Sequence, residues 1–187
     1  MPKLILGVTG RMASGKGTVA QYLNAHHSAA MYRFSTVLRD ILDRIYVEKK
    51  RQHMQDLSLD LRTRFGDDIL ASVIAHDVQH DDHDIIVVDG IRRLPDIKHL
   101  RALPEFRLIA LQAAPQTRWE RMTQRRENPD DAEKTFGQFQ KDEQAEAEQQ
   151  IDEVAATADV MIDNNGGHDQ LYQAVEDFLK KCHEHQS

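Results

Sequence analysis

Two glycines five residues apart, Gly10 and Gly15, with Lys16 directly behind the second, make the stretch Gly-Arg-Met-Ala-Ser-Gly-Lys-Gly-Thr (10–18) the part of this sequence best equipped for chemistry. Glycine lets successive backbone N–H groups converge on the oxygens of an anion, and a helix N-terminus behind the loop adds a favourable dipole. A lysine at that fixed place supplies a mobile positive charge for the outer phosphates of a nucleotide. A turn that only joins strand to helix needs a single glycine and has no use for the lysine. Gly10, Ala13, Ser14, Gly15, Lys16, Gly17 and Thr18 are therefore the expected phosphate-contacting residues.

Asp89 closes the apolar run Ile85-Ile86-Val87-Val88, where an acidic residue can hold Mg²⁺ against a triphosphate, directly or through water. Asp-Gly is also an ordinary turn dipeptide, but beside a phosphate loop the metal role is favoured, with Thr18 as a second oxygen. Arg92 and Arg93 follow at once, and guanidinium groups recognise phosphate with two parallel N–H bonds. Arg39, one turn from Ser35, and Arg62 with Arg64, just before Phe65-Gly66, face either solvent or an anionic second substrate. Arg118, Arg121 and Arg125 share one helical face. Cations so close need neutralising, by a triphosphate or by the acidic segment that follows. His76, His80 and His83 stand among four aspartates and read as a polar connection rather than a zinc site. The single Cys182 has no evident partner base and permits no internal disulfide.

The elements that position these residues follow from periodicity. Short apolar runs predict strands at 3–8, 30–34, 85–89, 107–112 and 159–163. A helical stripe of Val37, Leu38, Ile41, Leu42, Ile45 and Tyr46 predicts a helix over 36–47. Residues 57–78 read as one or two helices broken near Gly66, 115–127 as a helix with proline in its first turn, and 138–156 as polar helix. Leu171, Val175, Phe178 and Leu179 mark a closing helix. Strands alternating with helices imply an α/β fold, a three-layer helix–sheet–helix sandwich on a five-stranded parallel sheet. Ligands of such sheets bind beyond the C-terminal strand ends, where the loop, Ser35 and Asp89 all fall.

Composition sets the outer bounds. A chain of 187 residues with 40% hydrophobic content suits one domain, 1–187. No apolar run reaches membrane-spanning length, and the short run before the loop is too short for a secretory leader, so a cytoplasmic location is expected. The formal net charge of −7 resides entirely in residues 130–153, which carry nine acids and two lysines. Residues 91–126 carry nine arginines and lysines against three acids. Local arginine clusters in a neutral background fit a small anionic ligand and exclude bulk nucleic-acid binding; the acidic stretch reads as a solvated face.

Taken in order, Gly10–Thr18, Leu61-Arg62 with Phe65-Gly66-Asp67-Asp68-Ile69, Val88-Asp89-Gly90-Ile91-Arg92, Arg118 with Arg121, and Ala158–Asn164 resemble the P-loop small-molecule kinase superfamily of adenylate kinases and dephospho-CoA kinases. Within it they resemble an uncharacterised family of small archaeal and bacterial nucleotide-kinase-like proteins. The resemblance implies ATP and Mg²⁺, an acceptor-binding helical insert around 36–75 and a lid near 127–150. It implies acceptor-phosphate roles for Arg39 and Arg92. It makes Arg121 and Arg125 lid-side arginines on the transferring phosphoryl group, and Asn164 with Asn165 the border of the adenine site. Gly17-Thr18 is similar to the adenylate-kinase form of the loop, which has no hydroxyl side chain directly after the lysine.

A hydroxyl acceptor, as in dephospho-CoA, requires a carboxylate to take its proton. Dephospho-CoA kinases carry an aspartate pair after the second strand, where this chain has Ser35-Thr36 and then Asp40 on the helix. An acceptor phosphate is already ionised and needs arginines instead. The expected acceptor is a nucleoside or deoxynucleoside monophosphate held by Ser35, Arg39, Arg62, Arg92 and Arg93. Dephospho-CoA kinase and a non-catalytic nucleotide-dependent switch are the alternatives, and the chain is expected to be a monomer or homodimer.

Overall fold

The computed structural model of the chain describes residues 3–125, 131–144 and 150–184. Five strands, β1 (Leu4–Thr9), β2 (Ala30–Arg33), β3 (Ile85–Asp89), β4 (Phe106–Gln112) and β5 (Val160–Asp163), pair in parallel in the order β2-β3-β1-β4-β5. The helices are α1 (Lys16–His27), α2 (Phe34–Arg44), α3 (Arg51–Phe65), α4 (Ile69–Gln79), α5 (Leu94–Ile97), α6 (Pro115–Arg125), α7 (Phe136–Asp142), α8 (Ile151–Ala155) and α9 (His168–Glu184). A single 3₁₀ turn, Leu100–Ala102, precedes β4.

Every residue of β1 is buried, because helices cover both faces of the sheet. Leu4, Leu6 and Val8 point into the layer formed with Val19 and Leu23 of α1 and Leu171 and Val175 of α9. Ile5 points the other way, into a layer with Leu70 and Ile74 of α4, Leu108 and Leu100. Gly7 leaves room on that second face: a Cβ there would lie 2.7 Å from Phe106 Cζ and 2.8 Å from Ile91 Cδ1. Overpacking against a stiff ring costs about 1–3 kcal/mol, so Gly7→Ala is expected to lower the unfolding free energy by that amount, read as a lower urea midpoint at unchanged slope.

The strands lie where the apolar runs put them, and the helical span 57–78 is two helices parted at Gly66, whose φ is +105°. Several helix boundaries differ from expectation, among them the end of α2, at Arg44 rather than residue 47, which leaves Ile45 and Tyr46 outside the helix. Helix α2 begins at Phe34 rather than residue 36, because Arg33 ends β2 in extended backbone and serves directly as the N-cap. Among the described residues of the span 138–156, helix α7 runs to Asp142 and α8 covers Ile151–Ala155. Thr135 and Gln138 form a reciprocal capping box that starts α7 early. Two acids of the acidic stretch, Asp131 and Glu143, are buried, so that stretch is not wholly a solvated face. Part of the expected lid, residues 127–130 and 145–149, lies outside the described residues.

Helices α3 and α4 differ in how they are held. Five residues of α4 are buried, whereas α3 buries none and leaves Leu59 and Phe65 in solvent. The arm that carries Arg62 thus rests on the body by partly covered side chains such as Met54, Leu57 and Leu61.

Candidate active site

All five strands end on one edge, and the chemically equipped residues collect there. The loop between β1 and α1 takes up positive φ at Gly10 (144°), Ala13 (58°) and Gly15 (107°). Lys16 is the first residue of α1, and its Nζ donates back to the carbonyls of Gly10 (2.5 Å) and Arg11 (3.0 Å). The ammonium is thereby parked at the mouth of the loop. Ser14 is almost fully buried, and its Oγ has no hydrogen-bond partner. The Cβ position of Gly17 meets nothing within 4 Å, so this glycine is not required by packing.

Asn164, just after β5, locks the loop from outside. Its Nδ2 donates to the Ser14 carbonyl (2.8 Å), and its backbone N–H donates to Gln112 O (2.7 Å). The Cβ of any residue at 15 would lie 2.3 Å from that Nδ2, so the space is open only to glycine. Asn165 turns the segment further: Oδ1 accepts from Ala114 N (2.7 Å) while its Nδ2 donates to Asp163 (2.9 Å). Arg121 donates to the carbonyls of Asn164 (2.7 Å) and Gly166 (3.0 Å). Its guanidinium therefore braces the 164–166 turn in this conformation. Arg125, at the end of α6, is exposed.

Asp89 stands in register with Val8 of β1 and Arg33 of β2, beside the phosphate loop. Its carboxylate lies 3.3 Å from Arg33 Nε. Asp89 and Thr18 together offer a carboxylate and a hydroxyl, hard oxygen donors of the kind Mg²⁺ takes while keeping several waters, so the residues present fit that ion. Gly17 adds no donor. Among the described residues no cluster of three or more His, Cys, Asp or Glu has metal-binding geometry; the His76 and His80 rings lie 4.3 Å apart, and His83 bonds Asp81.

A second group forms beyond β3 around Asp96, which is only 3% exposed. Its carboxylate accepts the backbone N–H groups of Arg92 (3.1 Å) and Arg93 (3.0 Å) and the Arg93 guanidinium (3.3 Å), with Arg62 at 3.6 Å. Arg93 also reaches the Asp67 carbonyl (3.4 Å), tying this turn to the α3–α4 junction. Burial and the neighbouring Arg93 push the Arg62 guanidinium below its ordinary pKa, and its Nε is buried without a partner. The two guanidiniums thus gather on Asp96, with the Asp67 carboxylate also acting on Arg62. Arg39 is exposed and donates to Ser35 Oγ (3.1 Å) at the start of α2. Thr9, at the end of β1, links the two groups by donating from Oγ1 to Ile91 O (3.0 Å).

Third is an ion-pair group above the loop. The Arg118 side chain, 4% exposed, donates from Nε to Ala113 O (2.9 Å) and from Nη1 to Met12 O (3.3 Å) and to the Glu143 carboxylate. Its guanidinium also sits over the Phe139 ring. The like charges along α6 are thus offset by a buried carboxylate at 118 and by carbonyls at 121. Arg11 pairs with Asp152 of α8 (2.6 and 3.1 Å), which holds that carboxyl below the usual range.

Sequence reasoning missed Arg11, Arg33, Asp96, Glu143 and Asp152. Arg33 could have been found, since it closes β2 as Asp89 closes β3. Asp96 carries a local helix-start signal in its place three residues after Arg93, whereas Arg11, Glu143 and Asp152 pair across long stretches of chain.

A glycine loop leading into a helix at the edge of a parallel sheet, with an aspartate ending the neighbouring strand, defines a P-loop α/β protein with a kinase-like fold. The same fold appears in shikimate kinase from Bacteroides thetaiotaomicron (13% identity, TM-score 0.62, 95% of this chain and 98% of that one). It appears also in TT1252 from Thermus thermophilus (14% identity, TM-score 0.61, 97% and 98%). Residues 6–150 match the AAA domain family, and the chain belongs to it. A UPF0200 protein of Staphylothermus marinus is 28% identical, with 97% of this chain and 94% of the relative covered. Among the described residues no helix is long and apolar enough to cross a membrane.

Proposed function

We propose that the protein transfers the γ-phosphoryl group of ATP to a small phosphorylated acceptor, a nucleoside or deoxynucleoside monophosphate. One observation carries this reading: a lysine-bearing phosphate loop and a separate arginine group (Arg62 and Arg93 on Asp96, with Arg39 on Ser35 nearby in sequence to β2) stand at the same edge of the sheet. A nucleotide switch needs the loop and has no use for the second group.

In this reading Gly10, Ala13, Ser14, Gly15, Gly17 and Thr18 cradle the donor phosphates, and Asn164 with Asn165 border the base. Asp89 and Thr18 would hold Mg²⁺, which would supply neutralising charge to the donor phosphates. Lys16 leaves its carbonyl partners and offsets the charge that develops on the transferring group, with Arg92, Arg121 and Arg125 converging as segment 127–150 closes and water is excluded. Ser35, Arg39, Arg62, Arg92 and Arg93 hold the acceptor phosphate, and α3, which buries no residue, is the arm within the 36–75 insert that adjusts to it. No proton needs to be removed from an ionised phosphate, in keeping with Ser35-Thr36 after β2.

The test is ADP release from ATP·Mg²⁺ with a panel of nucleoside and deoxynucleoside monophosphates and dephospho-CoA. Stimulation by a monophosphate is expected; acceptor-independent turnover would sink the kinase reading, and stimulation by dephospho-CoA alone would overturn the acceptor. Arg39→Ala is expected to raise the acceptor KM about 10–100-fold, the worth of a charge-assisted bond, while leaving the KM for ATP within about twofold.

A further inference from the structure

We propose that Arg11 is a further catalytic residue, the arginine that contacts the γ-phosphate of bound ATP, and that Asp152 and Glu143 are its parking place in the ligand-free protein. The proposal rests on the donor-site reading above and names a residue that nothing in the loop's spacing assigns.

Arg11 belongs to the phosphate loop itself. Its carbonyl accepts Lys16 Nζ at 3.0 Å, so its side chain starts from the same point as the parked ammonium. The guanidinium bonds the two Asp152 oxygens at 2.6 and 3.1 Å and lies 3.7 Å from Glu143 Oε1. Glu143 is fixed independently, being 9% exposed and bonded to the buried Arg118, which is itself tied to Met12 O of the same loop. Arg11, Gln140, Glu143 and Gln144 line an open depression of about 410 Å³. Residues 140, 143 and 144 share one face of the α7 turn.

The four charges of Arg11, Arg118, Glu143 and Asp152 cancel, but they are not equally held. Arg118 with Glu143 is buried. The Asp152 side chain is 66% exposed and that of Arg11 is 32% exposed, so this pair is of the weak, solvent-screened kind. Asp152 rehydrates at little cost when Arg11 leaves. A terminal phosphate offers more charge than a carboxylate and accepts both arms of the guanidinium, so a triphosphate in the loop can draw Arg11 away from Asp152. A diphosphate, lacking the outer group, cannot. Arg11 thus reports the γ-phosphate and adds positive charge where transfer occurs, while Arg118 and Glu143 remain paired with each other.

The decisive measurement is the ratio of ADP to ATP dissociation constants, by calorimetry with Mg²⁺ and no acceptor. Arg11→Ala is expected to lower that ratio roughly 10–100-fold, with ADP affinity as the internal control for an intact fold. Arg11→Lys, which keeps the charge and loses the fork, should fall between. Asp152→Asn, which weakens the parking place, should raise the ratio about 2–5-fold. A merely structural tie between the loop and α8 would shift both nucleotides alike, and an unchanged ratio in Arg11→Ala would overturn the assignment even if acceptor-dependent turnover is found. A ratio that responds in a protein showing no acceptor-dependent turnover would uphold Arg11 and sink the kinase reading.

Discussion

Lys16→Ala is expected to lower kcat for phosphoryl transfer about 10²–10³-fold with every acceptor, the scale seen when one preorganised donor to a developing charge is removed. The reason lies in the ligand-free geometry. Two loop carbonyls, of Gly10 and Arg11, hold the ammonium at 2.5 and 3.0 Å, so it is already beside the site and little reorganisation precedes its contact with phosphate. Those two bonds are partly exposed and stabilise the fold only modestly, so the thermal midpoint should move by a few degrees at most. Stability and activity therefore separate in this variant. Lys16→Arg should recover little, because a planar fork cannot take the place of a compact point charge against the same two carbonyls. Turnover assays with saturating ATP, paired with calorimetric binding of ATP, check the result; wild-type turnover in Lys16→Ala would remove the lysine from the mechanism.

Gly15→Ala is the second large effect, and it acts through the fold. Gly15 has φ +107°, a region that costs a residue with a Cβ about 1–3 kcal/mol. The new methyl would also meet Asn164 Nδ2 at 2.3 Å and push that amide off the Ser14 carbonyl. A buried amide and a buried carbonyl left unpaired add about 1–3 kcal/mol. The sum, about 2–6 kcal/mol, is a large part of what an ordinary domain possesses. Urea unfolding checks the loss. Adding Asn164→Ala should relieve the clash and leave the backbone cost, so the double variant should recover part of the stability with a coupling energy of about 0.5–3 kcal/mol. Strict additivity would show that the two side chains do not meet.

The donor half of the site was legible in the sequence because its parts are local. A strand, a glycine loop, a lysine and a helix sit within two dozen residues, and their spacing alone carries the chemistry. The strand ends were legible too, since apolar runs such as 85–88 stop at a residue that must face the edge. What could not be read is set by chain crossings. Asp152 and Glu143 sit in a stretch that looks like solvated acid, and only the docking of Phe139 and the aromatic contact of Phe136 with Trp119 turn Glu143 inward. Likewise Asp96 reads as a helix-start residue, which it is, and its second role of gathering Arg62 appears only once α3 folds back over the turn.

The strand order has a consequence for how the chain is made. β1 emerges first, but its hydrogen-bonding neighbours are β3 and β4, whose first partners are Ile85 and Phe106. At about 5–20 residues per second, the ribosome takes roughly 4–16 s to reach β3 after finishing the residues it will pair with. Throughout that interval Leu4-Ile5-Leu6-Gly7-Val8 is an apolar segment without a sheet to join, and it has strong strand propensity on either side of Gly7. The same central placement that buries the phosphate-loop strand on both faces in the finished protein makes it an association-prone stretch of the nascent chain.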